Sequence, residues 1–128
     1  MAIVPPEAKR RLETETPIAH LATCREGLPH VAPVWYRYEN EVIEIVTTGT
    51  KLENIRENSR VALSIQADDA GDPDWVVTML GTGTVIEDDE RTATARRRIN
   101  ERYDVKPDAY DENALVRIDI GSATYRTY

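Results

Sequence analysis

The stretch Val42-Ile43-Glu44-Ile45-Val46-Thr47-Thr48-Gly49-Thr50-Lys51-Leu52-Glu53-Asn54-Ile55 reads as a β-strand, a glycine turn and the first turn of a helix. Thr50 followed three residues later by Glu53 is a capping box, which predicts a helix starting at Leu52 or just before it. The first N–H groups of that helix point back at the strand end and, with the positive end of the helix dipole, favour a phosphate. The hydroxyls of Thr47, Thr48 and Thr50 converge on the same spot with Lys51, one of only three lysines in the chain. The pattern implies a phosphorylated ligand. An ordinary helix cap beside a solvated lysine has the same local sequence, so the surrounding pattern has to decide between them.

Upstream, a short charged helix is expected over residues 7–13. Ile18-Ala19-His20-Leu21-Ala22-Thr23-Cys24 follows as a strand that stops at the turn Arg25-Glu26-Gly27-Leu28-Pro29. A second strand, residues 31–38, is separated from Val42-Ile43-Glu44-Ile45-Val46 by Glu39-Asn40-Glu41, a loop short enough to force an antiparallel hairpin. Pro33 cannot donate to a ladder, so this strand should be interrupted or lie at an open edge there. Such a break frees backbone groups near Val34 and Trp35, and these would suit a flat heteroaromatic ring.

Downstream, the helix runs two turns to Asn58 with Leu52 and Ile55 on its apolar side. Val61, Leu63 and Ile65 alternate with Ala62 and Ser64 as a half-buried strand, ended by an acidic loop over residues 68–74. A hairpin or one long bent strand covers residues 75–87, where Gly81 and Gly83 mark a bulge or the close approach of another backbone. Asp88-Asp89-Glu90 opens an amphipathic helix through Tyr103, with Arg96, Arg97, Arg98 and Arg102 toward the end that the dipole prefers for cations. Leu115-Val116-Arg117-Ile118-Asp119-Ile120 alternates as the last strand and runs on to Tyr125. Six or seven short consecutive strands with two substantial helices point to a closed or partly closed antiparallel barrel, because a parallel sheet needs a helix between most strands.

A length of 128 residues suits one domain with its own core. With 23 acidic against 16 basic residues the net charge is −7, and no basic footprint for nucleic acid is present. The acidic excess and the preference for arginine over lysine resemble a salt-adapted, halophilic cytoplasm. The single cysteine, Cys24, excludes an internal disulfide or a multi-cysteine zinc site and fits a reducing compartment. No apolar run reaches the length of a membrane span and residues 1–16 lack a signal-peptide core, so a soluble, unprocessed, cytoplasmic protein is expected. His20 and His30 have no metal-ligand spacing and read as structural and as a turn or rim residue. The run from Arg96 to Arg98 reads as a solvated helix face, and Trp35 and Trp75 suit a core as well as a ligand site.

Several of these pieces, in order, resemble the pyridoxamine 5′-phosphate oxidase-like, FMN-binding split-barrel family. They are Leu21-Ala22-Thr23, the turn, Pro29-His30-Val31-Ala32-Pro33-Val34-Trp35-Tyr36, the strand to Thr47, and Lys51-Leu52-Glu53-Asn54-Ile55-Arg56-Glu57-Asn58-Ser59-Arg60-Val61-Ala62-Leu63. The resemblance covers residues 18–87 and weakens toward the C-terminus. It implies a mainly β fold over residues 1–128: a six-stranded antiparallel split barrel with two or three short helices. It also implies a homodimer that holds one FMN at each end of its subunit interface.

Carried over by position, Pro33, Val34, Trp35 and Tyr36 line the isoalloxazine ring, largely through their backbone. Thr47, Thr48, Thr50 and Lys51 hold the ribityl chain and phosphate. Trp75, Val76 and Val77, with Tyr125 and Arg126, come from the partner subunit. The implied function is a flavin-dependent oxidoreductase; an F420-dependent reductase and a non-catalytic flavin carrier share the same fold. Tyr125-Arg126-Thr127-Tyr128 lacks the arginine and aromatic segment that closes on substrate in true pyridoxamine phosphate oxidases, so that activity is not expected. No catalytic base or substrate is assigned.

Overall fold

The computed structural model describes residues 2–128. In chain order the elements are α1 (Pro6–Thr14), β1 (Ala19–Arg25), β2 (Leu28–Val34), β3 (Arg37–Glu39), β4 (Val42–Thr47), α2 (Thr50–Glu57), β5 (Arg60–Asp69), β6 (Asp72–Ile86), α3 (Asp89–Arg102) and β7 (Ala114–Thr127). All strands join one antiparallel sheet in the order β2-β1-β5-β6-β7-β4-β3.

The strand expected over residues 31–38 is broken, though not at Pro33. Pro33 sits opposite His20 on the edge strand β2, and the break falls two residues later at Trp35 and Tyr36. The pieces on either side, β2 and β3, form the two opposite edges of the sheet. The barrel is therefore closed by a covalent dipeptide rather than by a ladder, which is the split. Counting the broken strand as two gives seven strands, within the six or seven read from the residues and one more than the resemblance implies.

Other boundaries move for local reasons. The acidic loop expected at residues 68–74 is reduced to the two-residue turn Ala70-Gly71, with φ of 50° and 90°, because positive φ at both central positions matches the twist of a hairpin. Of residues 75–87, all but Glu87 lie in β6, a single strand. Its register shifts between Leu80 and Gly81, and a Cβ on Gly81 would lie 2.7 Å from the carbonyl oxygen of Asp119, so this glycine is a close-approach position.

The inward face of the sheet carries Leu21, Ile43, Ile45, Leu63, Ile65, Trp75, Val77, Val116 and Ile118, all buried, with Ala8 and Leu12 of α1 packed into the same core. Deletion of any one of the larger side chains opens a cavity costing about 2–5 kcal/mol. Ala95 and Ile99 of α3 are buried with Leu115 against the outside of the barrel near β4 and β7. Among the described residues no helix is long and apolar enough to cross a membrane.

Candidate functional site

The helix after β4 starts earlier than the capping-box pattern predicts. Gly49, at φ 72° and ψ −146°, is the N-cap, and no side chain caps the helix. That backbone conformation turns the chain one residue before Thr50, so Thr50 becomes the first helical residue and the Thr50–Glu53 box does not form. The Glu53 N–H donates to the Gly49 carbonyl at 3.1 Å. The amides of Thr50, Lys51 and Leu52 are therefore without partners inside the helix.

Beside this helix end lies a cleft of about 420 Å³. Thr47, Thr48 and Lys51 form a polar side, while Pro33, Val34 and Trp35 from the broken strand form another, with Ile18, Ile99 and Tyr110 adding apolar surface. The two segments meet here because β3 and β4 pair as an antiparallel hairpin, Arg37 opposite Glu44, which brings the residues before β3 alongside the end of β4. Asn100 and Asn113 complete the wall.

Seven residues placed at the site by sequence do not line this cleft in their own chain: Tyr36 and Thr50, and the five expected from a partner subunit, Trp75, Val76, Val77, Tyr125 and Arg126. Tyr36 is fully buried, with Arg102 stacked 4.8 Å from its ring centre. Thr50 points to solvent from the first position of α2. Trp75 and Val77 face the core of their own chain, Trp75 donating through Nε1 to Glu15 at 3.1 Å. Val76 lies on the opposite, outer face of β6.

The aromatic cluster at the cleft was only partly foreseen. The Trp35 indole stacks on Tyr103, with ring centres 5.2 Å apart and planes 11° apart, and meets Tyr110 edge-to-face at 5.8 Å and 82°. The Tyr36 N–H donates to the Tyr103 hydroxyl at 3.4 Å, and that hydroxyl donates to the Pro17 carbonyl at 2.9 Å. The break in the barrel is thus held by a phenol rather than by a neighbouring strand. Burial pushes the pKa of Tyr36 and of Tyr103 above the ordinary value, with the Arg102 cation opposing it at both, so both phenols are neutral near pH 7.

Arg102, expected to serve the helix dipole, has a longer reach. It donates to the carbonyls of Leu12 at 2.7 Å and Glu13 at 3.0 Å, and also to that of Glu15, satisfying the open end of α1. Arg102 and Tyr103 read in the sequence only as the end of a helix, because their partners lie up to 90 positions away, and Asn100 gave no signal because it binds backbone carbonyls. Among the described residues no cluster of three or more His, Cys, Asp or Glu side chains could hold a metal.

A family model described as pyridoxamine 5′-phosphate oxidase matches residues 5–127. No curated protein matches. Among solved structures, an F420 reductase aligns over 94% of this chain and 98% of its own at 26% identity, with a TM-score of 0.77. A FAD-binding protein from Mesorhizobium loti aligns over 97% and 95% at 21% identity and a TM-score of 0.77. A conserved hypothetical protein from Mycobacterium tuberculosis reaches a TM-score of 0.82 at 21% identity over 99% of this chain and 88% of its own. The last two likenesses bear on the fold alone.

Proposed function

The chain belongs to the pyridoxamine 5′-phosphate oxidase family, and we propose that its cleft holds FMN, phosphate toward the start of α2, in a homodimeric oxidoreductase. The observation that carries this reading is the meeting of the open α2 amides and Lys51 with the apolar side at Pro33, Val34 and Trp35 in one cleft. A phosphate joined to a flat ring by a ribityl chain needs a cationic, donor-rich end and an apolar end in one cleft, and the residues present fit that requirement. When bound, a flavin supplies hydride or electron transfer, and the protein supplies position and electrostatics. Lys51 is half-buried and makes no salt bridge among the described residues, so its charge is available to a phosphate.

A partner copy is proposed to seat on the outer face of β1, β2, β5, β6 and β7. His20, Ala22, Val31, Ala62, Ser64, Thr78, Leu80, Ser122 and Thr124 share a shallow depression there, with no acidic or Lys/Arg side chain among its lining residues. In a chain of net charge −7, an uncharged patch with Val31 65% and Leu80 62% exposed fits an interface better than free surface. Val76 shares this face with Thr78 and Leu80, which favours it as the member of the 75–77 segment that reaches a partner's site. Trp75 and Val77 have little to offer there, since their side chains are buried and their backbones pair with β5 and β7.

F420 is the second reading, supported by the 26% identity to the F420 reductase; it too presents a phosphate and a tricyclic ring. The Thr47–Lys51 region has no feature that separates the two. The phosphate assignment is tested by Lys51→Ala, which is expected to weaken FMN binding by about 1.5–3 kcal/mol through loss of a charged hydrogen bond. Unchanged affinity in a titration followed by flavin fluorescence contradicts it.

A further inference from the structure

The loop between α3 and β7 forms one wall of the cleft and is built in a locally costly way. Asn100, fully buried near the end of α3, directs its Nδ2 at three carbonyls of this loop, those of Lys106 at 3.0 Å, Pro107 at 3.3 Å and Ala109 at 2.9 Å. Turning the amide over would set its oxygen against three carbonyl oxygens, so the orientation is fixed by chemistry. The consequence is that Oδ1 stays buried without a hydrogen-bond partner. The next residue along, Tyr110, holds φ at +60°, the left-handed region that a bulky side chain avoids. Tyr110 is 57% exposed, so the core gains little from placing it there.

Both costs serve one result, a phenol ring edge-to-face with Trp35 at the cleft. Trp35 already has Tyr103 stacked against it. Tyr110 is therefore the more accessible of the two aromatic side chains at the cleft that a bound ring would meet.

We propose that Tyr110 is a specificity-determining residue, and Asn100 its positioning residue, for the width of the planar ring system that the cleft accepts. The inference rests on the cofactor assignment above and extends it to the choice among ring systems. The two probes are FMN and its 8-dimethylamino analogue, which carries the same phosphate and ribityl chain on a wider ring.

Dissociation constants for both probes are measured with the full chain and with the variants Tyr110→Ala, Tyr110→Phe and Asn100→Ala. The unsubstituted chain should favour FMN by roughly tenfold or more, Tyr110→Phe should keep that preference, and Tyr110→Ala and Asn100→Ala should each reduce it to about threefold or less. A merely structural role for Asn100 lowers thermal stability and both affinities together and leaves the ratio unchanged, which overturns its part of the proposal. If Asn100→Ala fails to fold, the Tyr110 pair still decides, because Tyr110 is 57% exposed and its truncation removes little buried surface. An unchanged ratio in Tyr110→Ala, or no preference in the unsubstituted chain, overturns the inference alone. Absence of FMN binding by the unsubstituted chain overturns the FMN assignment and this inference with it.

Discussion

At Gly49 the backbone takes φ 72° and ψ −146°, and no atom lies within 4 Å of where a Cβ would sit. Replacement is therefore opposed by conformation and not by crowding, and Gly49→Ala is expected to cost about 1–3 kcal/mol in urea denaturation. The residue types that suit a phosphate at this turn were legible in the sequence, but the backbone angle that moves the cap from Thr50 to Gly49 was not. Burial works against the Glu15 carboxylate, but hydrogen bonds from Arg11 and from Trp75 outweigh it and hold its pKa below the usual 4.5. A carboxylate with a depressed folded-state pKa contributes stability above the unfolded value and loses it as pH falls through the folded one. The gap in Tm between the unsubstituted chain and Glu15→Gln should accordingly be open at pH 6–7 and shrink below about pH 4.5. A gap that is constant across that range contradicts a stabilising Glu15 charge.

Among the elements, α1 and α3 depend on each other through Arg102, whose guanidinium covers the carbonyls that close α1 and lies over the Tyr36 ring. Arg102→Ala is expected to cost about 1.5–3 kcal/mol, because charged donors are removed from the partly buried carbonyls of Leu12 and Glu15. Arg102→Lys should restore little of this, since an ammonium cannot reproduce a planar fork. Full recovery by lysine, read from chemical denaturation, contradicts that account of the contact. Most strands were legible because their alternation is local, as in Val61, Leu63 and Ile65. The broken strand shows the limit: Pro33 signalled an irregularity, but its location at Trp35 and Tyr36 follows from Tyr103, 67 positions from Tyr36, which takes up the freed N–H. The loop after α3 was illegible for a different reason, being held by Asn100 through nearby backbone carbonyls that carry no residue-type signal.

On the scale of the whole molecule, a linear sheet whose two edges are pieces of one strand leaves an opening, and the cleft sits where that break meets the start of α2. The ordered motifs indicated this family, and residues 5–127 match its model. The outer face was not legible as an interface, because its small and apolar residues are spread over five strands and form a patch only once the register is set. Leu80→Glu, on that face and 62% exposed, is expected to convert a dimer to a monomer in sedimentation equilibrium with little change in circular dichroism. A monomeric unsubstituted chain contradicts the proposed interface.

The most direct test of the cofactor assignment is the visible absorption spectrum of the purified protein in high salt, after incubation with FMN or with F420 and removal of free ligand. Stoichiometric retention of FMN is the expected result, with the flavin bands shifted by an apolar surrounding. Retention of F420 in its place would contradict the FMN assignment while keeping the cleft, and retention of neither by folded protein would contradict the cofactor site itself.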